Sequence, residues 1–302
     1  MLEGRFMFPR MNPCGYRESP SHVNGLSIFC RHPRVRTAGG IVTSEICRTC
    51  KYATDQRTTI ASPSHKAGGA WRWSVGVTTA PRESSTLAKC LASLRHAGWR
   101  NPHIFAEPDC GVPIGYEVTR RGARMGAWPN WYLALAELVL KDPLADCYFL
   151  AQDDVVLSRN SRLFLEADLW PAGKVGVVSL YCPSIYHSER SAADYGPHEV
   201  DEGFGLVGAL TFLFPPESAR ALLQDTNVVE HRLKGRRKGL CNIDAVVGRW
   251  ARETGREIYF YSPSLANHIG ETSSIWLNQE PRRGRMCHSF LGEQFNAMEL
   301  LS

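Results

Sequence analysis

Two adjacent carboxylates, Asp153 and Asp154, follow directly on Gln152 and the apolar run at residues 148–151. Burying an ionised carboxylate is costly unless a cation or hydrogen-bond donors meet it. A strand that ends in paired acids is therefore expected at the carboxyl edge of a sheet, where open α/β folds bind ligands. Two hard oxygen ligands at such an edge suit Mg²⁺ or Mn²⁺, and these ions in turn suit a diphosphate. A strand followed by a solvated acidic turn gives the same pattern, so this segment alone leaves both interpretations open.

The pattern of apolar residues around these acids predicts an α/β fold. Strands are predicted at residues 73–78, 103–106, 174–180 and 257–261, and helices at about 129–140 and 245–254. Such alternation of strands and helices favours a mostly parallel sheet covered by helices on both faces. In this arrangement Asp244 precedes the second helix, and His268 lies in a loop after the last strand.

Composition limits the class of protein. The chain has 302 residues, of which 43% are hydrophobic, so it can form one large α/β domain and a small appendage. Its net charge of +5 fits an anionic substrate such as a nucleotide sugar and does not by itself indicate nucleic-acid binding. No apolar run approaches the ~18 residues of a membrane span, and the N-terminus shows no signal-peptide pattern. We therefore expect a cytoplasmic, reducing location, no transmembrane segment, and cysteines that are thiols or metal ligands.

Four cysteines are concentrated near the N-terminus, at Cys14, Cys30, Cys47 and Cys50. Four thiolates can hold a structural Zn²⁺ tetrahedrally, and a segment this small and polar needs such a metal to fold. We predict a Cys-rich zinc module at residues 1–52, a polar linker at 53–70 and the main domain at 71–302. Free or redox thiols and an iron–sulfur cluster are the alternatives for this module. The other six cysteines are scattered and predicted to be core thiols: Cys90, Cys110, Cys147, Cys182, Cys241 and Cys287.

Four segments occur in an order that resembles the nucleotide-sugar glycosyltransferases of the GT-A fold. They are the turn Thr79-Ala80-Pro81-Arg82, the acidic motif Gln152-Asp153-Asp154, the later Asp244, and the segment around His268-Ile269-Gly270. The last segment is similar to the branching N-acetylglucosaminyltransferases of N-glycan processing. The resemblance covers roughly residues 71–276. It implies a GT-A-like, Rossmann-like domain that transfers a sugar from a nucleotide-diphosphate sugar, with a UDP-sugar favoured, to a carbohydrate or other hydroxyl acceptor.

The same resemblance implies roles for individual residues. The donor-binding residues would be Thr78, Thr79, Ala80, Pro81, Arg82, Asp109 and Asp153. Asp154 and His268 would bind Mn²⁺ or Mg²⁺, and Asp244 would be the catalytic base of an inverting enzyme. Gln152 departs from the family pattern, because it replaces the usual first acid of the Asp-x-Asp metal motif.

Elementary chemistry supports these roles independently. Glycosyl transfer needs a stabilised leaving diphosphate, which a divalent cation provides by neutralising charge. It also needs a deprotonated acceptor hydroxyl, whose proton a nearby carboxylate such as Asp244 can take. A single base on the face opposite the leaving group fits inversion. Asp244 can also be interpreted as a helix N-cap, and His268 as a loop histidine bonded to the backbone.

A function of another class is also compatible with the sequence. Three features motivate it: Gln152 in place of an acid, the cysteine module, and the basic clusters at residues 235–239 and 282–285. The alternative is a zinc-containing nucleic-acid-binding or adaptor protein on an inactive transferase scaffold, or a transferase whose acceptor is a modified nucleic acid. The glycine-rich stretch at residues 203–208 does not open a helix after a strand, so it predicts close backbone packing rather than a dinucleotide site.

Overall fold

The computed structural model describes residues 70–167, 169–186, 195–201, 205–234, 241–270, 287 and 289–301, and three short N-terminal strands. The chain divides into two units, Met1–Ser62 and Pro63–Ser302. In the first unit the strands β1 (Arg17–Glu18), β2 (Ser27–Cys30) and β3 (Ile41–Thr43) pair in sequence order, each antiparallel to the next. Cys30 ends β2, whereas Cys14, Cys47 and Cys50 lie outside the described residues. The zinc module therefore stays a prediction.

The second unit alternates strands and helices, as predicted. Its strands are β4 (Trp73–Thr79), β5 (His103–Ala106), β6 (Val118–Arg120), β7 (Cys147–Gln152), β8 (Val155–Leu157), β9 (Val175–Ser179), β10 (Gly196–Glu199), β11 (Thr211–Phe214), β12 (Glu257–Ser262) and β13 (Ala266–His268). Its helices are α1 (Leu87–Ala97), α2 (Ala127–Lys141), α3 (Ser161–Ala167), α4 (Pro216–Gln224), α5 (Thr226–Val229) and α6 (Ile243–Glu253). Within the described part of the chain, no helix has the length and apolar character needed to cross a membrane.

Eight of these strands form one sheet in the order β10-β12-β9-β11-β7-β4-β5-β6. Parallel pairing joins β4 to β5 and β7, β5 to β6, and β9 to β12. Strand β11 runs antiparallel between β7 and β9, and β10 runs antiparallel to β12 at one edge. The predicted α/β fold with a mostly parallel sheet is confirmed.

Helices cover both faces of this sheet. Successive side chains of a strand point to opposite faces, so two neighbouring residues of β7 show what lies on each side. Leu150 of β7 faces α2, since a Cβ atom built on the adjacent Gly76 would approach both Leu150 and Leu138 of that helix. The neighbouring Phe149 points the other way, where its ring centroid lies 4.6 Å from that of Trp99, directly after α1. The parallel strands therefore run between two apolar layers, and polar side chains gather at their ends.

The predicted loop around His268 is wrong, because His268 ends strand β13. This strand pairs antiparallel with β8, and His268 lies opposite Val155. The preceding residues are anchored to the main sheet, since the N–H groups of Leu265 and Ala266 both donate to the Leu180 carbonyl. A three-residue strand flanked by Ser, Pro and Gly leaves too short an apolar pattern to be recognised in sequence. Its pairing places His268 beside Asp154.

Candidate functional site

A cavity of about 360 Å³ opens at the carboxyl edge of the sheet. This is the edge at which open α/β sheets bind ligands. It is surrounded by the turn after β4, the ends of β5 and β7, and the starts of α2 and α6. Its lining residues are Thr78, Thr79, Ala80, Pro81, Arg82, Glu107, Arg124, Met125, Gly126, Ala127, Asn130, Gln152, Asp153, Cys241 and Ile243. The structure thus brings the whole predicted donor turn and Asp153 into one cavity.

Arg82 joins the two acids at this edge. Its Nη2 donates to Asp153 Oδ1 at 2.7 Å and to Asp154 Oδ2 at 2.8 Å. The Thr79 hydroxyl donates to the other oxygen of Asp153, and His268 Nε2 lies 3.2 Å from Asp154 Oδ2. Asp153 and Asp154 are only 3% and 5% exposed. The interpretation as a solvated acidic turn is therefore wrong, because both carboxylates are buried and paired.

The two carboxylates differ in their electrostatics. Burial raises the pKa of Asp153 above its usual value, although the charge of Arg82 opposes the shift. For Asp154, burial is again the largest influence, but the hydrogen bond with His268 and the charge of Arg82 together outweigh it and lower the pKa. The pKa of Arg82 is raised, because the two carboxylates outweigh its own desolvation. Asp154 is thus the carboxylate that the site holds most firmly as an anion.

Asp154 and His268 have the features of an incomplete cation site. Asp154 Oδ1 is buried, and no hydrogen-bond partner meets it in the described structure. A Cβ atom on Gly270 would lie 3.0 Å from both Asp154 Oδ2 and His268 Nε2, so the glycine leaves space beside both donors. A carboxylate and an imidazole can both bind Mn²⁺. Among the residues that the structure describes, no three His, Cys, Asp or Glu side chains form a metal-binding group. A cation bound by these two donors would therefore need further ligands from outside this pair, such as water.

Glu107 also lines the cavity, and it was not predicted from the sequence. It follows β5 and is buried. Its carboxylate accepts hydrogen bonds from the backbone N–H of Met125 at 2.9 Å and of Gly126 at 3.0 Å, just before α2 begins. A negative charge is favourable at this end of a helix. A lone acid after a strand was the only signal in sequence, and it did not distinguish Glu107 from the nearby Asp109.

Asp109 is not brought into the cavity. It is exposed, it lies in the turn after β5, and its φ of 65° is in the left-handed region. Turns accept aspartate in this conformation more readily than most residues. Asp109 is not among the residues that line the cavity, whereas Glu107 is. The expected contact of Asp109 with the donor stays a prediction.

Asp244 lies inside the first turn of α6, since the N-cap is Asn242. The N-cap interpretation of Asp244 is therefore wrong. Its carboxylate accepts hydrogen bonds of 2.9 Å from the backbone N–H of Gly208 and of Ala245. Gly208 has a φ of 81°, and a Cβ atom there would lie 2.7 Å from Tyr181, which confirms the predicted close packing at this glycine. Asp244 is not itself a lining residue, although its neighbour Ile243 is.

Comparison with known proteins gives likenesses among solved structures only. No family model matches the chain, and no curated protein matches it. Among solved structures, the chain is similar to the crystal structure of GalNAc-T7 with UDP, GalNAc and Mn²⁺, with a TM-score of 0.48 and 10% sequence identity. The match covers 71% of this chain and 46% of that protein, so the chain spans less than half the length of the structure it matches.

Proposed function

We propose that this chain is a metal-dependent glycosyltransferase. It transfers a sugar from a nucleotide-diphosphate sugar, with a UDP-sugar favoured, to a hydroxyl acceptor. The observation that carries the proposal is the pair of buried acids, bridged by Arg82, at the edge of a cavity formed by the predicted donor turn. Buried charges and a few polar groups that converge on one concave surface are typical of a ligand site.

Asp154 and His268 are the residues that would hold the cation, because one oxygen of Asp154 is unsatisfied and Gly270 leaves room beside both donors. When bound, Mn²⁺ or Mg²⁺ neutralises charge on a leaving diphosphate. Arg82 lines the cavity, and its planar guanidinium would match phosphate oxygens of the donor in pairs. Asp153, fixed by Thr79 and Arg82, accepts hydrogen bonds from sugar or ribose hydroxyls.

Asp244 is the proposed catalytic base of an inverting reaction. Hydrogen bonds from the N–H groups of Gly208 and Ala245 hold its carboxylate in one orientation. A fixed carboxylate within reach of an acceptor hydroxyl takes its proton as the new glycosidic bond forms. Its position beside the cavity-lining Ile243 supports this role.

Calorimetric titration tests the proposal. The full chain is titrated with UDP-, GDP- and CMP-sugars, with and without Mn²⁺, and we expect Mn²⁺-dependent binding of one nucleotide class. Asp154→Ala should abolish this metal-dependent binding, because it removes the main cation ligand. The matched control Glu253→Ala removes an exposed acid at the end of α6 and should leave binding unchanged.

Two further measurements separate the alternatives. Asp244→Asn should retain donor binding and lose at least about 100-fold in turnover, which is the usual contribution of a general base. The anomeric configuration of the product, read by NMR, should be inverted. Absence of binding to any nucleotide sugar by the folded protein would refute the transferase. Steeply salt-dependent binding to RNA or DNA under the same conditions would instead favour the nucleic-acid-binding alternative.

We also propose that the N-terminal cysteines Cys14, Cys30, Cys47 and Cys50 bind one structural Zn²⁺. The support is the spacing of four thiols in a polar segment of 52 residues. Elemental analysis of the purified protein should find about one zinc per chain, and Cys47→Ser should lower it without changing donor affinity. A zinc content near zero, or a brown iron chromophore, would contradict the assignment.

A further inference from the structure

A second cavity, of about 310 Å³, lies at the amino ends of β4 and β5. These strands are parallel, so it lies at the opposite edge of the sheet from the cavity that contains the donor turn, the donor cavity. Its walls come from the start of β4, the connection between α1 and β5, and α3. The lining residues that matter for its chemistry are Trp73, Val75, Trp99, Arg100 and Arg162.

The lining of this second cavity differs from that of the donor cavity. The donor cavity contains two acids, Glu107 and Asp153, and the half-buried Cys241. The prediction of a core thiol is therefore wrong for Cys241, whereas the other five scattered cysteines are buried as predicted. Neither an acid nor a cysteine is among the described residues that line the second cavity, which combines two indole rings with two arginines.

The second cavity exists because helices cover only part of β4. This strand pairs with β5 on one side and β7 on the other, and a central parallel strand is normally buried on both faces. Trp73, Val75 and Val77 point to the same face, because side chains alternate along a strand. Val77 is fully buried, whereas Trp73 and Val75 are only half-buried. An apolar surface inside the sheet is thus left open to a ligand.

Trp99, which lines this cavity, has an unpaired hydrogen-bond donor. Its ring contacts those of Trp73 and Phe149, with centroid distances of 5.3 and 4.6 Å, and the residue is 2% exposed. Its Nε1 atom is buried, and no hydrogen-bond partner meets it in the described structure. Indole N–H groups usually find an acceptor when they are buried, and a buried donor without one is costly. A ligand oxygen at this wall of the cavity can supply the acceptor.

Two arginines give the cavity a positive charge, which one nearby acid offsets only in part. Arg162 is fixed, because its Nε donates to Glu166 Oε1 at 2.8 Å and its Nη1 lies 3.5 Å from the Gly98 carbonyl. The same Glu166 oxygen accepts from Trp73 Nε1 at 2.7 Å, so this carboxylate is already engaged. Arg162 Nη2 and the exposed Arg100 side chain form no hydrogen bond with the residues that the structure describes. Both therefore remain for an anion.

We propose that the second cavity binds a small carboxylate that carries a ring with an apolar face, either an acidic sugar or an aromatic acid. The ring lies against Trp73 and Val75, where it covers apolar surface that the fold leaves open. The carboxylate pairs with Arg100 and with Nη2 of Arg162, and an oxygen of the ligand accepts from the Trp99 N–H. The volume is at the lower end of the range for small-molecule sites, which suits a ligand of this size. None of these residues takes part in the proposed sugar transfer, so the inference goes beyond it.

Calorimetric titration of the full chain tests the proposal. The two probes are methyl glucuronide, an acidic sugar, and phenylacetate, an aromatic acid, and their neutral counterparts are methyl glucoside and phenylacetamide. We expect at least one acid to bind, and its neutral counterpart to bind at least about tenfold more weakly, because only the acid pairs with the arginines. The acid that binds identifies the source of the ligand. Absence of binding by both acids up to about 10 mM, or equal binding of an acid and its neutral counterpart, would refute the proposal.

Two variants locate the bound acid in the second cavity. Arg100→Met removes an exposed arginine and should weaken binding at least about fivefold, whereas the matched control Arg249→Met, at an exposed arginine of α6, should bind like the wild type. Trp99→Phe keeps an aromatic ring, removes the N–H group and should weaken binding about threefold or more. In protein labelled with ¹⁵N-tryptophan, the indole signal that this variant lacks should shift when the acid is added to the wild type.

The outcome does not depend on the folding of the buried variant. If Trp99→Phe does not fold, Arg100→Met still decides, because wild-type affinity in that variant would rule out this cavity as the site. Mn²⁺-dependent binding of a nucleotide sugar should be the same in Arg100→Met and the wild type. Failure of the second site and failure of the proposed sugar transfer can therefore be told apart.

Discussion

Replacing Arg82 by methionine tests the charge balance of the site most directly. In the structure the Arg82 side chain is 9% exposed and forms ion pairs of 2.7 and 2.8 Å with Asp153 and Asp154. Methionine keeps much of the volume of the arginine stem and removes the cation. The variant leaves two adjacent buried carboxylates without their bridging charge. We therefore expect Arg82→Met to unfold more easily than the wild type.

The magnitude follows from the burial of these pairs. Removing one partner of a buried ion pair costs about 3–5 kcal/mol, because it leaves an uncompensated charge in the interior. Thr79 and His268 still contact the two acids, so we expect the lower end of this range, about 3 kcal/mol. For a domain of this size such a change lowers the melting temperature by roughly 10 °C. The matched control is Arg72→Met, because Arg72 pairs with Asp142 at an exposed position, where solvent screens the pair, and its loss should change the melting temperature much less.

Addition of Mn²⁺ distinguishes a cation site from a purely structural ion pair. A divalent ion that binds Asp154 and His268 supplies the positive charge that Arg82→Met has lost. At a concentration of 100 times its dissociation constant, a bound ion stabilises the folded state by about 2.7 kcal/mol. We therefore expect Mn²⁺ to recover most of the loss in thermal unfolding of Arg82→Met, and to stabilise the wild type less, because Arg82 competes for the same carboxylates.

Two results would refute this reasoning. A melting temperature of Arg82→Met within about 2 °C of the wild type would mean that the two acids do not depend on Arg82 for charge compensation. A smaller Mn²⁺ effect on the variant than on the wild type would mean that the ion does not use these carboxylates. The second result would also remove the main support for a metal-dependent transferase.

The remaining predictions concern two glycines and one histidine. Gly270→Ala should weaken Mn²⁺ binding at least about tenfold in calorimetry, because the new methyl group lies 3.0 Å from both cation donors, whereas Gly122→Ala, in open space, should not. Gly208→Ala should lower the free energy of unfolding in urea by about 2–4 kcal/mol, because it combines a φ of +81° with a 2.7 Å contact to a tyrosine ring. Gly255→Ala, with a φ of +64° and open space, should cost only about 1 kcal/mol. Burial lowers the pKa of His103, so the folded state prefers the neutral imidazole, and stability should be lost as the pH falls below about 6.5. His103→Asn should flatten this part of the stability profile, as measured by urea unfolding between pH 7.5 and pH 5.

The parts of the site that belong to continuous segments could be predicted from the sequence. Strand β7 is an apolar run long enough to be recognised as a buried strand. The two acids that directly follow it are therefore expected at the edge of the sheet. The turn after β4 follows a second such strand, and parallel pairing of β4 with β7 brings both ends to the same place. Each of these inferences needs only local periodicity and the rule that parallel strands share a carboxyl edge.

The parts that depend on contacts between distant segments could not be predicted. Glu107 is buried because backbone N–H groups just before α2 meet its carboxylate, whereas Asp109 is exposed. The backbone N–H groups of Cys182 and Cys287, which are far apart in sequence, likewise donate to side chains of one segment, residues 264–267. The spacing of residues in the sequence does not predict such contacts, because they depend on how helices and strands pack against one another.

In the proposed cation site, the pairing of β8 with β13 supplies a donor other than residue 152, where Gln152 replaces the acid that the resemblance leads one to expect. Strand β8 begins directly after Asp154, and His268 lies opposite its first residue, Val155. The pairing continues beyond the strand, since the Ile269 N–H donates to the Asp154 carbonyl at 2.8 Å. The imidazole that faces Asp154 is thus fixed by backbone hydrogen bonds on both sides of His268. A slip of one residue in this register would turn the imidazole to the other face. The second donor of the proposed cation site therefore comes from strand register, and a second acid in the local motif is not needed for it.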